Sequence, residues 1–423
     1  MPFLRYLTAT ALLIAAASIC AQPLPLAPSP EDVGFSRAAL ERIDRFVASE
    51  IALKRLPGAV IAVARDGKLV VYKAYGTRDP RTNAPMQLDS IFALASMTKP
   101  MAVVGALSLT EEGRLPLQAP VSQYFPAFAQ MKVGVARADA SLSMVDQQRP
   151  MTVQDLMRHT SGLTYGGRGD SASPVAQLYP GGSSDAAAQW TTSAFIDNLT
   201  RLPLAHQPGT TWEYSYSIDV VGAIVEKVSG QRLGDFLRDK VWTPLGMKDT
   251  TFALTDSQRE RIAQGFMNDP LTSRPVSIGV FARRMQFDCA GGCAMGTVPD
   301  YVRFGQMLLD GGILDGHRIL SPKTVIQMTS NHLLPHMDNR VAQVEPHRAG
   351  YGFGLGVAVR TMQGGAAVPG SPGEYSWNGA NGTQFFVDPK ERLVVVVGTA
   401  AGGDLRKYYR EQVQDLVYGA MIR

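Results

Sequence analysis

Gly58–Gly76 reads "GAVIAVARDGKLVVYKAYG". Two apolar, β-branched runs flank Asp66-Gly67, a dipeptide that accepts the positive φ angles of a type I′ turn, so the stretch predicts a β-hairpin. The far end of the chain repeats the pattern. Thr383–Ala400, "TQFFVDPKERLVVVVGTA", sets Asp388-Pro389 as a breaker between two more apolar runs, because proline cannot donate into a sheet ladder. A helix is expected on the outer side of each hairpin. Before the first, "SRAALERIDRFVASEIALKR" places Leu40, Ile43, Phe46 and Val47 on one stripe. After the second, "DLRKYYREQVQDLVYGAMI" offers Leu405, Tyr408, Tyr409, Val413 and Val417 to a core.

The middle of the chain reads as helices and loops. "TVQDLMRHTSGL" predicts a short helix ending near Ser161-Gly162, and "SIDVVGAIVEKVSG" a helix capped by Gly230. "TVPDYVRFGQMLLDGG" predicts another, entered through Thr297 or Pro299. From about Gly166 to Gly182 the chain is rich in Gly, Ser, Ala and Pro, the mark of a long surface loop of the kind that often shapes a site. The simplest assembly is one antiparallel sheet made from both chain ends and flanked by helices, with a helical lobe inserted. The fold class is therefore α/β plus all-α. Residues 22–95 and 300–423 would form the discontinuous sheet lobe and 96–299 the helical lobe, with the site in the cleft between them.

The 423 residues carry a formal net charge of +4 without any block of like charge, which argues against a nucleic-acid or polyanion partner. "MPFLRYLTATALLIAAASICA" has one positive charge, Arg5, then an apolar run and small residues. That is a secretory signal pattern, cut after Ala21, and too short for a confident membrane span. An uncleaved anchor, a buried helix and lipidation at Cys20 are the alternatives. Export to the periplasm or medium leaves Cys289 and Cys293, in "DCAGGCAMGT", as a candidate local disulfide. Two reduced, inert cysteines remain open. Metal binding is disfavoured, because the six histidines show no ligand spacing.

"FALASMTKPMAVVGALSL" carries the chemistry. Ser96 and Lys99 stand at i and i+3 at the start of an apolar helix, so the two side chains share a face. A buried lysine without a partner is costly, and burial favours the neutral amine that can take a hydroxyl proton. S-x-x-K alone is a weak signal, equally met by a helix-capping serine and a snorkelling lysine. The competing G-x-S-x-G nucleophile motif is absent from the chain.

The order of segments is more specific than any single motif. "PGAVIAVARDGKLVVYKAYGTRD", "FALASMTKPMAVVGALSLTEEGRL", "MTVQDLMRHTSGL", "PGTTWEYSYSIDVVGAIVEKVSG" and "GEYSWNGANGTQFFVDPKERLVVVVGT" follow one another. Together they resemble the serine β-lactamase and penicillin-binding-protein superfamily, class C-like branch, and most of all the family VIII carboxylesterases. The resemblance runs from about Glu31 to Arg423. It implies Ser96 as nucleophile, Lys99 as its lysine, and Tyr214, opening "Tyr214-Ser215-Tyr216", as general base and acid. It also implies an oxyanion hole from the backbone N–H groups of Ser96 and Ala380, beside Trp377, Asn378 and Gly379.

Two positions depart from the β-lactam enzymes. Tyr216 stands where they carry asparagine, and Trp377 where they carry lysine. An aromatic pair there predicts an apolar pocket suited to neutral esters with short acyl chains, with weak β-lactam turnover. The expected function is a serine carboxylesterase working through an acyl-enzyme on a small-molecule ester, with no metal or cofactor. The alternatives are a β-lactamase, a D-amino-acid or small-peptide peptidase, and a transesterase on the same scaffold. A non-catalytic binding protein is disfavoured because Ser96, Lys99 and Tyr214 are all present.

Overall fold

A computed structural model describes residues 23–139, 141–167, 173–276 and 285–423. The expected export signal, residues 1–21, lies outside the described residues, as does part of the Gly166–Gly182 stretch. Among the described residues, no helix is long and apolar enough to cross a membrane.

The opening hairpin forms as its sequence predicts. β1 (Gly58–Arg65) and β2 (Lys68–Asp79) are antiparallel. Asp66 and Gly67 both take positive φ, 51° and 73°, as a type I′ turn requires. A short β3 (Ala84–Pro85) pairs with β2. The C-terminal half supplies β4 (Tyr351–Phe353), β5 (Ala358–Arg360), β6 (Tyr375–Asn378), β7 (Gln384–Asp388) and β8 (Leu393–Thr399). The eight strands form one sheet in the order β4-β5-β6-β7-β8-β1-β2-β3. β1 joins β8 antiparallel from Ala59↔Thr399 to Arg65↔Leu393, so the two ends of the chain close the sheet at its middle.

Both sheet faces are covered, which is why "AVIAVA" and "LVVVV" are continuously apolar rather than alternating. Ala59, Ile61, Val63, Phe386, Val395 and Val397 face one layer with Ile43, Val47, Tyr409 and Val413. The latter come from α1 (Arg37–Ala52) and α6 (Leu405–Tyr418), which pack against each other. Ser36 caps α1 by accepting from the Ala39 N–H. Phe46 and Tyr408 sit at the margin of this layer as an edge-on aromatic pair. Val60, Ala62, Ala64, Phe385, Val394 and Val396 face the other way, into the large core shared with the inserted helical region. α5 (Val298–Leu309), capped by Thr297, packs on β8 and β1 from that side.

Three further helices place the site. α2 (Thr98–Glu111) is apolar on nearly every side and buried throughout its first ten residues, as expected of a central helix. α4 (Ser217–Ser229) packs on it and ends at Gly230, φ 76°. α3 (Val153–Met157) is shorter than the sequence predicts. It stops at Met157 rather than near Ser161, because His159 adopts a left-handed backbone, φ 58°, and sends the chain to the cavity.

Ile43 is fully buried between α1 and the sheet. Ile43→Ala should therefore cost about 2–5 kcal/mol. A lowered urea midpoint with an unchanged slope checks this, whereas an unchanged midpoint would show that the outer layer does not stabilise the sheet.

Candidate active site

Ser96 lies one step before α2, in a 3₁₀ turn over Ala95–Met97, rather than on the helix itself. Ala95 before it has φ 47°. A left-handed backbone at a residue with a side chain costs on the order of 1–2 kcal/mol, so its surroundings must impose it. They grip the turn from several sides. The Leu94 N–H donates to Ala294 O at 3.0 Å. The Thr98 hydroxyl donates to Ala95 O at 2.7 Å and accepts from the Ala294 N–H at 3.0 Å. The Tyr301 hydroxyl donates to Met97 O at 2.8 Å, and the Thr383 hydroxyl to Leu94 O at 3.2 Å.

The three residues expected to act together do meet. The Tyr214 hydroxyl donates to Ser96 Oγ at 2.6 Å. Lys99 Nζ lies 3.5 Å from Ser96 Oγ and 4.4 Å from the Tyr214 ring centroid. Tyr214 is thus the nearer proton-handling group to the serine. Lys99 is fully buried and donates most closely to Gly291 O, at 2.6 Å, with Tyr165 Oη at 3.4 Å. His159 packs behind Tyr214 with ring centroids 5.0 Å apart, and its Nδ1 faces Ser215 Oγ at 3.2 Å. Burial, and then the nearby Lys99 charge, hold its imidazole well below the ordinary histidine range. It is a neutral packing partner of the tyrosine, without a hydrogen bond to the serine.

The Trp377-Asn378-Gly379 strand end, on β6, backs this group. Trp377 Nε1 points to Tyr214 Oη at 3.4 Å. Arg348 stacks on the indole, its guanidinium carbon 4.8 Å from the ring centroid. Asn378 is buried beside Arg348 and Glu345. Gly379 has no room for a side chain, since a Cβ would fall 2.0 Å from Thr383 Oγ1 and 2.4 Å from Leu94 O. Its carbonyl accepts from Arg410 of α6, which also donates to Glu345 at 2.7 Å. Burial pushes the Glu345 carboxyl up, but Arg410, Arg348, His347 and Arg406 outweigh it and bring it down to about 2. In a trans peptide the C=O and the following N–H point in opposite directions. Holding Gly379 O on Arg410 therefore turns the Ala380 N–H the other way.

A cavity of about 370 Å³ opens over Ser96 and Tyr214, within the range of small-molecule sites. The expected aromatic pair, Tyr216 and Trp377, is not among the residues that line it. Tyr216 is fully buried among Tyr165, Tyr179 and Phe195, and its hydroxyl lies 3.3 Å from Pro180 O. Neither Tyr216, Trp377, Asn378 nor Gly379 reaches the cavity surface, whereas Ala380 does. Among the described residues the walls are mixed: Tyr165, Tyr214 and Val276 stand beside Ser183, Asp185, Asn381 and Arg406, with the backbone of Gly291 and Gly292. The reason is steric. Tyr216 opens α4 and its ring fills the space behind Tyr165, so the motif's third position points into the core.

Several residues here escaped the sequence reading. Asp219 showed a signal, as the lone charge in the apolar "SIDVVGAIV". Tyr165 closely follows the quoted "HTSGL". Arg406, Arg410 and Glu345 gave none, because an arginine on an amphipathic helix reads as a solvated face. Cys289 and Cys293 are bonded to each other, closing the loop that carries Gly291.

With this geometry in view, comparison with known proteins is informative. The family model described as Beta-lactamase matches residues 43–417. Protein Rv1367c of Mycobacterium tuberculosis is 34% identical over 363 residues, covering 81% of this chain and 85% of that protein. Esterase EstB of Burkholderia gladioli is 31% identical over 380 residues, covering 85% and 89%. The solved structure described as "EstCE1, a hydrolase with promiscuous acyltransferase activity" superposes with a TM-score of 0.74 at 26% identity, over 90% of this chain and 99% of that one.

Gly379→Ala should push the strand end away from the Leu94–Ser96 turn, at about 1–3 kcal/mol of stability. Hydrolytic turnover should lose kcat at least about tenfold with little change in KM. An unchanged kcat in the folded variant would show that this close approach does not serve the site.

Proposed function

This chain belongs to the beta-lactamase family, and on that premise we propose that it is a serine carboxylesterase acting through an acyl-enzyme on Ser96. The observation that carries the reading is the 2.6 Å contact between Tyr214 Oη and Ser96 Oγ at the floor of a cavity, with Lys99 against both. Starting as the phenolate, and so accepting from the Ser96 hydroxyl, Tyr214 takes the serine proton as Oγ attacks the ester carbonyl. Lys99, over the ring of Tyr214, stabilises the phenolate as an ammonium. The backbone N–H groups of Ser96 and Ala380 receive the tetrahedral oxyanion. Tyr214 returns the proton to the leaving alcohol, and water, activated by the same tyrosine, then releases the acid. No metal or organic cofactor enters these steps.

The esterase name of the Burkholderia relative supports an ester substrate. The expected preference for short acyl chains loses its first basis, since Tyr216 and Trp377 lie behind the wall. Cavity volume is what limits the acyl group, and Asn381, Arg406, Asp185 and Ser183 favour esters carrying polar groups. The acyltransferase activity in the EstCE1 description supports a second reading, transfer of the same acyl group to an alcohol. An export leader would deliver the chain to an oxidising compartment, which the Cys289–Cys293 bond suits.

A substrate panel tests the proposal: p-nitrophenyl butyrate with and without added alcohol, nitrocefin, and D-alanyl peptides. Ester turnover should dominate. Efficient amide turnover without ester turnover would replace the esterase reading with a lactamase or peptidase. Ser96→Ala should abolish both turnover and labelling by a fluorophosphonate. Tyr214→Phe should lower kcat about 10²–10⁴-fold, and a smaller loss would remove Tyr214 as the proton-transfer group.

A further inference from the structure

Asp219 is a buried carboxylate that the reaction sequence above does not use. It stands in the first turn of α4 and makes no direct ion pair with Lys99. Its two oxygens nevertheless reach the lysine by separate routes. Oδ1 accepts from the Gly291 N–H at 2.8 Å, and the Gly291 carbonyl accepts from Lys99 Nζ at 2.6 Å. Oδ2 accepts from the Ser183 hydroxyl at 2.6 Å and faces Tyr165 Oη at 3.4 Å. Tyr165 Oη in turn lies 3.4 Å from Lys99 Nζ and 2.9 Å from Ser183 Oγ. One backbone unit and one phenol thus separate the carboxylate from the ammonium.

The Gly291 route is built tightly. A Cβ on Gly291 would fall 2.2 Å from Ser183 Oγ and 2.3 Å from Asp219 Oδ2, so only glycine fits there. The Cys289–Cys293 bond closes the five-residue loop, and the Gly292 and Cys293 N–H groups both donate to Cys289 O at 3.1 Å. The loop cannot turn its carbonyl from Lys99 without breaking these contacts. Asp219 also costs free energy where it is. Burial raises its carboxyl, and the Lys99 charge and its hydrogen-bond donors act against that rise. A fully buried acid whose hydrogen bonds all lead toward one lysine calls for a function.

We propose that Asp219 is the positioning residue for Lys99, holding its Nζ against Ser96 and Tyr214 through the Gly291 carbonyl and the Tyr165 hydroxyl. The proposal rests on the role given above to Lys99 in supporting Tyr214. The ionisable groups facing Lys99 are Tyr165 and Tyr214, His159 on the loop after α3, and Asp219 on α4. His159 is neutral through the working range, so Asp219 supplies the negative charge that favours the lysine ammonium. Removing the carboxylate takes away the acceptor of the Ser183 and Tyr165 hydroxyls and loosens the hold on Lys99 Nζ beside Tyr214.

The test compares wild type, Lys99→Met, Asp219→Asn and the double variant by ester kinetics across pH and by fluorophosphonate labelling, each checked for folding by circular dichroism. Asp219→Asn should lower kcat about tenfold with KM within twofold. In the Lys99→Met background it should add no further loss. Loss in Lys99→Met with no kcat change in Asp219→Asn overturns the proposal alone, as does a multiplicative effect in the double variant. Full activity in Lys99→Met overturns the role of Lys99 and the proposal together. If Asp219→Asn does not fold, Tyr165→Phe cuts one route and keeps the carboxylate. A severalfold fall in kcat that disappears in the Lys99→Met background supports the proposal, and an unchanged kcat overturns it.

Discussion

The pairing of β1 with β8 is the constraint on which the rest depends. It joins Ala59 to Thr399 and Arg65 to Leu393, residues from opposite ends of the chain. Closing so long a loop carries a large entropic penalty, and the apolar strands repay it by burying both of their faces. Once that seam forms, everything between Pro85 and Tyr351 must leave the sheet and return to it. The nucleophile turn lies on the outgoing path and the Trp377-Asn378-Gly379 strand end on the returning one. Thr383 and Gly379 bring the two into contact at Leu94, so the site is assembled by the sheet as much as by the helical region.

The same seam explains why the nucleophile can stand on a strained backbone. Ala95 adopts φ 47° because Ala294, Thr98, Tyr301 and Thr383 hold its neighbours in place. Only the Thr98 contact is local; Ala294, Tyr301 and Thr383 reach the turn from far along the chain. Ser96 and Lys99 are neighbours by sequence, but Tyr214 joins them only when those distant elements are in place.

The fold was legible because it rests on local signals. Asp66-Gly67 between β-branched runs, Asp388-Pro389 between two more, and the Ser36 and Thr297 helix starts each state their structure within a few residues. The meeting of Ser96, Lys99 and Tyr214 was legible through spacing and motif order. The pocket was not. Side-chain direction at Tyr216 depends on Phe195 and Tyr179, which reach it from distant positions in the sequence, and no periodicity reports that. Arg410 looked like any charge on an amphipathic helix, yet it is buried under the Gly379 carbonyl, and the α6 register that puts it there follows from packing against α1. The end of α3 was misjudged for a related reason. "RHTSGL" has no proline and no glycine before position 162, so the left-handed turn at His159 is imposed by its burial against Trp212, Tyr214 and Phe353.

The two aromatic replacements acquire a different meaning from this geometry. They do not line the cavity, so they cannot select an acyl group by direct contact. Trp212, Phe353 and Trp377 instead pack around Tyr214 and one another. Trp377 offers the tyrosine a neutral indole N–H where the β-lactam enzymes of the superfamily have a cation by resemblance. Arg348 lies against that indole, not on the tyrosine hydroxyl. Lys99 Nζ sits 4.4 Å from the Tyr214 ring centroid. The aromatic backing fixes the tyrosine from one side, and the Gly291 carbonyl with Tyr165 fixes the lysine from the other. Asp185, Asn381 and Arg406 line the cavity apart from these two sets of contacts.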